Sequence, residues 1–227
     1  MRVLFIPAKA KIDAKELLKD FKIPFKKIGL CTTAQFLDSL KNIGAELERK
    51  GYEVKIGKPC WTAIKQGQIL GCDVSAAKTI EHEVDCFLYI GTGSFHPIGI
   101  SLQTEKPVFS LNPFTKKLVE IREEKTNLLK RKTQLLAKFK DAKRIGILVS
   151  IKPGQQNLQS DAVELKNLLQ KIGKKAYLFI CNDILDSELQ NFMHIDGWVN
   201  TACPRLAEDK FSKPFINAFD FLASLAK

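Results

Sequence analysis

Two cysteines stand apart by their surroundings. Cys72 lies in Gly67-Gln-Ile-Leu-Gly-Cys72-Asp, and Cys203 lies in Trp198-Val-Asn-Thr-Ala-Cys203-Pro-Arg-Leu-Ala-Glu-Asp209. Each is a lone cysteine in a loop of small and polar residues, without a Cys-x-x-Cys neighbour. Thiolates ligate soft metals and iron–sulfur clusters. A fold that brought the two together would build such a site from separate domains. The glycines before Cys72 let the backbone turn sharply and approach a ligand. After Cys203, Pro204 fixes the loop, and Arg205 offers a permanent cation to a carboxylate, a phosphate or an anionic cluster. The competing reading is packing, because free cysteine is among the most buried residue types. Packing suits Cys86 and Cys181, which sit inside apolar runs. Cys31, before Thr32-Thr33, and Cys60, between Pro59 and Trp61, stay open between the two readings.

Three further loops follow apolar runs. Gly91-Thr-Gly93-Ser-Phe-His96-Pro-Ile-Gly99 offers backbone N–H groups to an anion or a cofactor carboxylate. It lacks the third glycine of a dinucleotide fingerprint. His96 is a candidate acid, base or ligand, or an ordinary hydrogen-bonded loop histidine. Ser150-Ile-Lys152-Pro-Gly-Gln155 is a candidate substrate loop, or a plain Pro-Gly turn. Thr32, Thr33 and Gln35 occupy the corresponding place earlier in the chain. No Ser/His/Asp order, Walker loop, His-Glu-x-x-His or paired-carboxylate motif stands out. The three histidines, His82, His96 and His194, argue against a histidine-based metal site.

The elements that must hold these loops are legible from periodicity. Strands are expected at Val3–Pro7, Lys27–Cys31, Glu53–Gly57, Cys86–Ile90, Val108–Leu111, Arg144–Ser150, Ala176–Cys181 and Gly197–Asn200. Runs such as Cys86-Phe-Leu-Tyr-Ile90 suit strands covered on both faces. Amphipathic helices are expected over Ala34–Lys50 and Ser160–Ile172, the second closed by Gly173. The chain also echoes itself. Lys27-Ile-Gly-Leu-Cys-Thr-Thr precedes a helix, Gly51 and a strand; Arg144-Ile-Gly-Ile-Leu-Val-Ser precedes a helix, Gly173 and a strand. Each half later has an aspartate, Asp85 or Asp196, leading into a strand that ends in a small-residue loop. The expected fold class is therefore α/β: two similar three-layer domains with mainly parallel sheets, joined by a long helix. The expected boundaries are residues 1–116, a connecting helix over 117–142, and residues 143–227. The charged stretch Lys116–Lys143, free of Gly and Pro, supplies that helix. Its basic run from Lys125 is either a solvated face or a contact for RNA or phosphate.

Bulk properties bound the rest. The chain has 227 residues, 45% of them hydrophobic, enough for real cores rather than global disorder. The formal net charge of +11 favours an acidic partner or RNA, or reflects lysines scattered over a solvated surface. No apolar run approaches the roughly 20 residues needed to span a bilayer. The start, Met1-Arg-Val-Leu-Phe-Ile-Pro-Ala-Lys, reads as a buried strand rather than a signal peptide. A cytoplasmic location is expected, with cysteines reduced, buried or metal-bound.

Four motifs in this order resemble one family. Gln-Ile-Leu-Gly-Cys72-Asp, Tyr-Ile-Gly-Thr-Gly-Ser-Phe-His96-Pro-Ile-Gly, Ser150-Ile-Lys-Pro-Gly-Gln155 and Trp-Val-Asn-Thr-Ala-Cys203-Pro-Arg resemble the archaeal diphthamide synthase family, related to the eukaryotic Dph1 and Dph2 subunits. The resemblance spans about Val3 to Leu225. It implies a non-standard radical use of S-adenosylmethionine. A [4Fe-4S] cluster cleaves a C–S bond of that cofactor, and the 3-amino-3-carboxypropyl group passes to a histidine of elongation factor 2. Three cysteines hold the family's cluster, one from each of three similar domains. Cys72 matches the second-domain ligand and Cys203 the third. The sequence begins where the family's second domain would begin, so the first cysteine, in a Tyr-Gly-Ala-Cys-type motif, has no counterpart. Cys31 or Cys60 could substitute, a partner chain could supply the ligand, or the chain binds no cluster. Phe36 stands where the family usually has a histidine after the glutamine.

The implied cofactor contacts are Thr32, Thr33, Gln35, Gly91, Gly93, His96, Ser150, Lys152, Gln155 and Arg205, with no catalytic residue assigned. The implied partners are elongation factor 2 and either a second copy or a chain carrying the missing domain. A non-catalytic accessory subunit, or a related transferase with another acceptor such as RNA, are the competing functions.

Overall fold

The computed structural model describes residues 4, 6, 8–152 and 159–225. The chain divides into two compact units, Met1–Asn127 and Leu128–Lys227. No helix among the described residues is long and apolar enough to cross a membrane.

The first unit is built on five strands: β1 (Lys27–Thr32), β2 (Glu53–Lys55), β3 (Cys86–Ile90), β4 (Val108–Leu111) and β5 (Leu118–Glu120). Their order is β2-β1-β3-β4-β5, parallel except for the β4–β5 pair. Side chains alternate between faces along a strand. Ile28, Leu30, Cys86, Leu88 and Ile90 fill one face, with Leu17 and Leu18 from helix α1 (Ala14–Leu17) and its cap. Leu40, Ile43 and Leu47 of α2 (Leu37–Arg49) complete that core. The alternate residues Gly29, Cys31, Phe87 and Tyr89 turn to the other face. Short helices α3 (Ser75–Lys78) and α4 (Phe95–Gln103) contribute the buried Ala76, Ala77, Ile98 and Ile100.

The second unit has four parallel strands: β6 (Arg144–Ser150), β7 (Lys175–Cys181), β8 (Gly197–Asn200) and β9 (Phe215–Asn217), in the order β7-β6-β8-β9. Helices α5 (Glu123–Asp141), α6 (Gln159–Lys171) and α8 (Ala218–Leu225) supply Phe139, Leu165, Leu169 and Phe221 to one core, with Ile145, Ile147 and Val199. The opposite face buries Leu148, Trp198 and Phe215 with Leu189 from α7 (Asp186–Leu189).

The echo in the sequence is an echo in structure. Gly29 lies in register with Phe87, and Gly146 with Trp198. A Cβ on either glycine would run into that aromatic ring at a separation real Cβ atoms do not adopt. The Asp85 carboxylate accepts the N–H of Lys27 at 3.0 Å, and the Asp196 carboxylate accepts those of Lys143 and Arg144 at 2.9 and 2.8 Å. Each aspartate thus latches the amino-terminal end of its unit's first strand, β1 or β6. Gly51 (φ 91°) and Gly173 (φ 80°) end α2 and α6 in the left-handed region that L side chains avoid.

Three expectations differ from the structure. Leu4 and Ile6 are exposed and belong to no strand, while Val3, Phe5 and Pro7 lie outside the described residues. The long helix starts at Glu123, not near Lys116. The Asn112 side chain accepts the N–H groups of Phe114 and Thr115, Lys116 takes φ 58°, and the chain returns along β4 as β5. The strand expected over Glu53–Gly57 stops at Lys55. The short strands β5 and β9 were absent from the periodicity reading.

Candidate functional site

In open α/β sheets, ligands bind beyond the carboxyl ends of the strands. In the first unit, β1 ends at Thr32, whose hydroxyl donates to the Ile90 carbonyl at 2.6 Å. The loop that carries Cys72 is stitched to the same end: Thr32 N–H donates to the Gly67 carbonyl, and Ile69 N–H donates to the Thr32 carbonyl, both at 2.9 Å. Cys72 itself is exposed.

Its neighbour Asp73 is buried and accepts from the Thr62 and Ala63 amides, each at 2.7 Å, from the Thr62 hydroxyl at 3.2 Å and from the Ser75 amide at 2.8 Å. Burial pushes this carboxyl up, but the hydrogen bonds from Ala63, Ser75 and Thr62 outweigh it and hold the group below its ordinary value. Gly71 lies flat against the Phe95 ring; a Cβ there would collide with it.

Phe95 meets His96 edge-on at 5.3 Å between centroids, and His96 stacks on Tyr89 at 6.0 Å. Burial pushes the Tyr89 hydroxyl up to about 12, partly offset by a hydrogen bond with Thr33, and burial holds the His96 imidazole below its usual value. A chain of contacts therefore runs Thr33–Tyr89–His96–Phe95–Gly71 to the residue beside Cys72. Gly91 lies against the Tyr89 ring, and Gly93 takes φ 72° in open space. Gln35 sits in a short helical turn, where its carbonyl accepts the Ala10 amide at 2.9 Å.

The second unit repeats the plan with other residues. Cys203, partly buried, follows β8 and starts the helical turn Pro204–Glu208. The buried Asn200 side chain donates to the Cys203 carbonyl at 3.0 Å and to the Asn217 side chain at 2.8 Å. Asn217 in turn donates to the Pro204 carbonyl at 3.1 Å. Two asparagines on adjacent strands thus clamp the Cys203–Pro204 backbone. The register places Asn200 where Tyr89 stands in the first unit, one strand residue pair beyond the glycine–aromatic contact.

Ser150 ends β6, and its hydroxyl accepts the Lys152 amide at 3.2 Å. The Lys152 ammonium pairs with Asp183. Arg205 pairs with Asp209 at 2.6 Å and with Glu208 at 3.8 Å, and these partners hold its guanidinium above its ordinary value. Both cations expected to meet a ligand are therefore held by carboxylates of their own chain. Gln155 lies outside the described residues.

Cys31, open in the sequence between packing and ligation, has the surroundings of a packed residue. It lies inside β1 opposite Tyr89, is fully buried, and burial pushes its thiol up to about 12. A protonated thiol without solvent access is a core residue, not a ready ligand. Cys86 is likewise buried and pushed up to about 12. Among the described residues, no three of the His, Cys, Asp and Glu side chains converge to hold a metal ion. The two cysteines in small-residue loops each lie at the carboxyl edge of their own unit's sheet, Cys72 exposed and Cys203 partly buried; Cys60 is exposed as well. Sequence reading missed Asp73, Tyr89, Asn200 and Asn217, which hold those loops. A cavity of about 830 Å3 beside the start of α2, lined by Leu37, Leu40, Lys41 and Ile64 among others, involves Gln68 but not Cys72.

The family model for diphthamide synthesis proteins matches residues 1–227. The 2-(3-amino-3-carboxypropyl)histidine synthase of Pyrococcus horikoshii is 36% identical over 212 residues, covering 92% of this chain and 60% of that protein. Subunit 1 of the synthase from Homo sapiens is 25% identical over 231 residues, covering 99% of this chain and 51% of the human one. The crystal structure of Dph2 from Pyrococcus horikoshii superposes with a TM-score of 0.88 at 33% identity, over 96% of this chain and 63% of that chain. The crystal structure of that protein with a 4Fe-4S cluster gives a TM-score of 0.86 over 96% of this chain and 64% of that one. The chain thus spans 60% of the archaeal relative's length and about half of the human one's.

Proposed function

The chain belongs to the diphthamide synthesis protein family, and from that premise we propose that it contributes two thiolate ligands, Cys72 and Cys203, to a [4Fe-4S] cluster for 3-amino-3-carboxypropyl transfer. The first unit corresponds in this reading to the family's second domain and the second unit to its third. The third ligand comes from a chain or segment carrying the family's first domain. The carrying observation is that Cys72 and Cys203 each lie on a loop fixed by buried polar side chains, Asp73 in one unit and Asn200 with Asn217 in the other. Two such loops restrict thiolate motion before any metal arrives, which lowers the entropy lost on ligation.

When bound, the cluster supplies the electron that cleaves a C–S bond of S-adenosylmethionine. The protein's own residues bind and orient that cofactor. Backbone N–H groups of the Gly91–His96 segment would meet its carboxylate, and His96, whose imidazole burial holds below its usual value, would supply one hydrogen bond. Thr33, Gln35, Ser150, Lys152, Gln155 and Arg205 line the remaining contacts in this reading. Lys152 and Arg205 must first exchange their present carboxylate partners for the cofactor. The acceptor is a histidine of elongation factor 2.

The test is anaerobic reconstitution with iron and sulfide, with and without a partner chain carrying a first domain. Bound iron, bound sulfide and visible absorbance are expected in the wild type and absent from the Cys72→Ala/Cys203→Ala double variant. A double variant that keeps the full iron and sulfide content overturns the assignment. A second reading, an accessory subunit, fits the carboxylate pairing that already occupies Lys152 and Arg205. That reading predicts a colourless chain, in every condition, that still binds its partner.

A further inference from the structure

The amino-terminal rim of the second unit's sheet gathers cations from four segments. Lys138 and Lys140 lie near the end of α5, Lys143 and Arg144 lead into β6, Lys171 ends α6, and Lys174 and Lys175 lead into β7. Backbone contacts hold these segments together. Lys175 N–H donates to the Lys143 carbonyl at 2.8 Å, Arg144 is in register with Lys175, and Lys174 N–H donates to the Leu169 carbonyl of α6 at 3.0 Å. The stretches Lys138-Phe-Lys-Asp-Ala-Lys-Arg144 and Gln170-Lys-Ile-Gly-Lys-Lys-Ala-Tyr177 contain a single acid, Asp141.

Two of these cations are occupied within the fold. The half-buried Lys174 ammonium donates to the carbonyls of Phe139, Lys140 and Ala142 at 3.0, 3.0 and 2.6 Å, closing the end of α5. Arg144 pairs with Asp196. The others, Lys138, Lys140, Lys143, Lys171 and Lys175, are exposed and form no ion pair among the described residues. Cations at a helix's carboxyl end complement its dipole, which accounts for Lys138, Lys140 and Lys171. Lys175 begins a strand, and the helix end beside Lys143 is already closed by Lys174. Ammonium groups gathered without counter-charges repel one another, a cost that a bound polyanion reverses.

A shallow cleft of about 370 Å3 opens beside these lysines, lined by Gln170, Lys174, Lys175 and Tyr177 among others. Gln170 is exposed and offers both a donor and an acceptor to a base edge. Tyr177, 42% exposed, offers an aromatic ring. Lysine, as a point charge, suits phosphate, whereas carboxylates are best met by the paired donors of arginine. The one arginine here is taken by Asp196.

We propose that this rim is a docking site for single-stranded nucleic acid, with phosphates on the exposed lysines and one base in the cleft. A basic surface beside an aromatic platform holds such strands without sequence preference. The rim lies at the opposite end of the strands from the Cys203 loop, so a strand bound there is held, not modified.

Fluorescence anisotropy of the full chain with a labelled mixed-sequence 12-mer, as RNA and as DNA, tests it and distinguishes the two sugars. Binding is expected with a dissociation constant on the order of 10 μM at low salt, and a salt slope of about −3.5, roughly −0.7 for each of the unpaired lysines. The triple variant Lys143→Gln/Lys171→Gln/Lys175→Gln should weaken binding at least about 10-fold and flatten the slope by about 2. Tyr177→Ala should weaken it about fivefold or more and leave the slope unchanged. Iron content after reconstitution should be unchanged in both variants, which separates this site from the cluster assignment. No binding of either oligomer at roughly 100 μM protein overturns the proposal. So does either variant without effect on affinity. Poly-glutamate of equal charge that displaces the oligomers as effectively as unlabelled RNA would assign the rim to an acidic protein and overturns it too.

Discussion

Asp73 is the residue on which the Cys72 loop depends. Its carboxylate takes donors on both oxygens from two segments, Thr62–Ala63 and Ser75. Asn has one acceptor oxygen and turns an NH2 toward a donor, so Asp73→Asn should lower stability by about 2–3 kcal/mol, read as a shift in the urea midpoint. In the metal-free chain the same variant should speed alkylation of Cys72 while leaving Cys203 unchanged. Exposure sorts the cysteines further. Cys60 and Cys72 are exposed and should alkylate readily in the native state, whereas Cys31 and Cys86, buried and pushed up to about 12, should stay unmodified until the protein unfolds. Rapid native modification of Cys31 would contradict its place in the core. The loops around Cys72 and Cys203 were legible in sequence because small residues, Gly and Pro mark them. Asp73, Asn200 and Asn217 were not, because an aspartate or asparagine next to a strand is usually solvated, and only burial turns it into a clamp.

At the scale of elements, the central strands and their helices were legible because a strand covered on both faces is an unbroken apolar run. Strands β5 and β9, three residues each, are too short to show a period, and pairing with an existing edge defines them. The glycine–aromatic register invites a direct measurement. Gly146→Ala drives a methyl into the Trp198 ring and should cost roughly 1–3 kcal/mol, because the packed interior cannot yield. The latch at the start of β6 is pH-dependent. Burial alone would raise the Asp196 carboxyl, but hydrogen bonds from Arg144 and Lys143 hold it below its ordinary value. A depressed folded value means stability present above about pH 3.9 and lost as pH falls through the folded value. Asp196→Asn should therefore cost about 1–2 kcal/mol at neutral pH and progressively less in acid. A difference independent of pH would show that the charge contributes nothing.

For the whole molecule, two units with separate cores are expected to give two calorimetric transitions. Gly29→Ala should lower one and Gly146→Ala the other; a single transition moved by either would show that the units melt as one. The net charge of +11 did not, by itself, point to a partner, since most ion pairs here are exposed and such pairs contribute little. The family match replaced the charge argument with a specific one. The two ends of each sheet carry different obligations. Asp85 and Asp196 fasten the amino-terminal rim, and the opposite rim carries the cysteine loops. The two units share the latch at one rim and hold their cysteines with different clamps at the other, Asp73 in one and Asn200 with Asn217 in the other. In a saturation library scored for solubility, both rims should resist change at their clamping side chains, Asp85 and Asp196 on one and Asp73, Asn200 and Asn217 on the other, while Cys72 itself accepts many residues. Scored for cluster content, the intolerance should extend to Cys72 and Cys203.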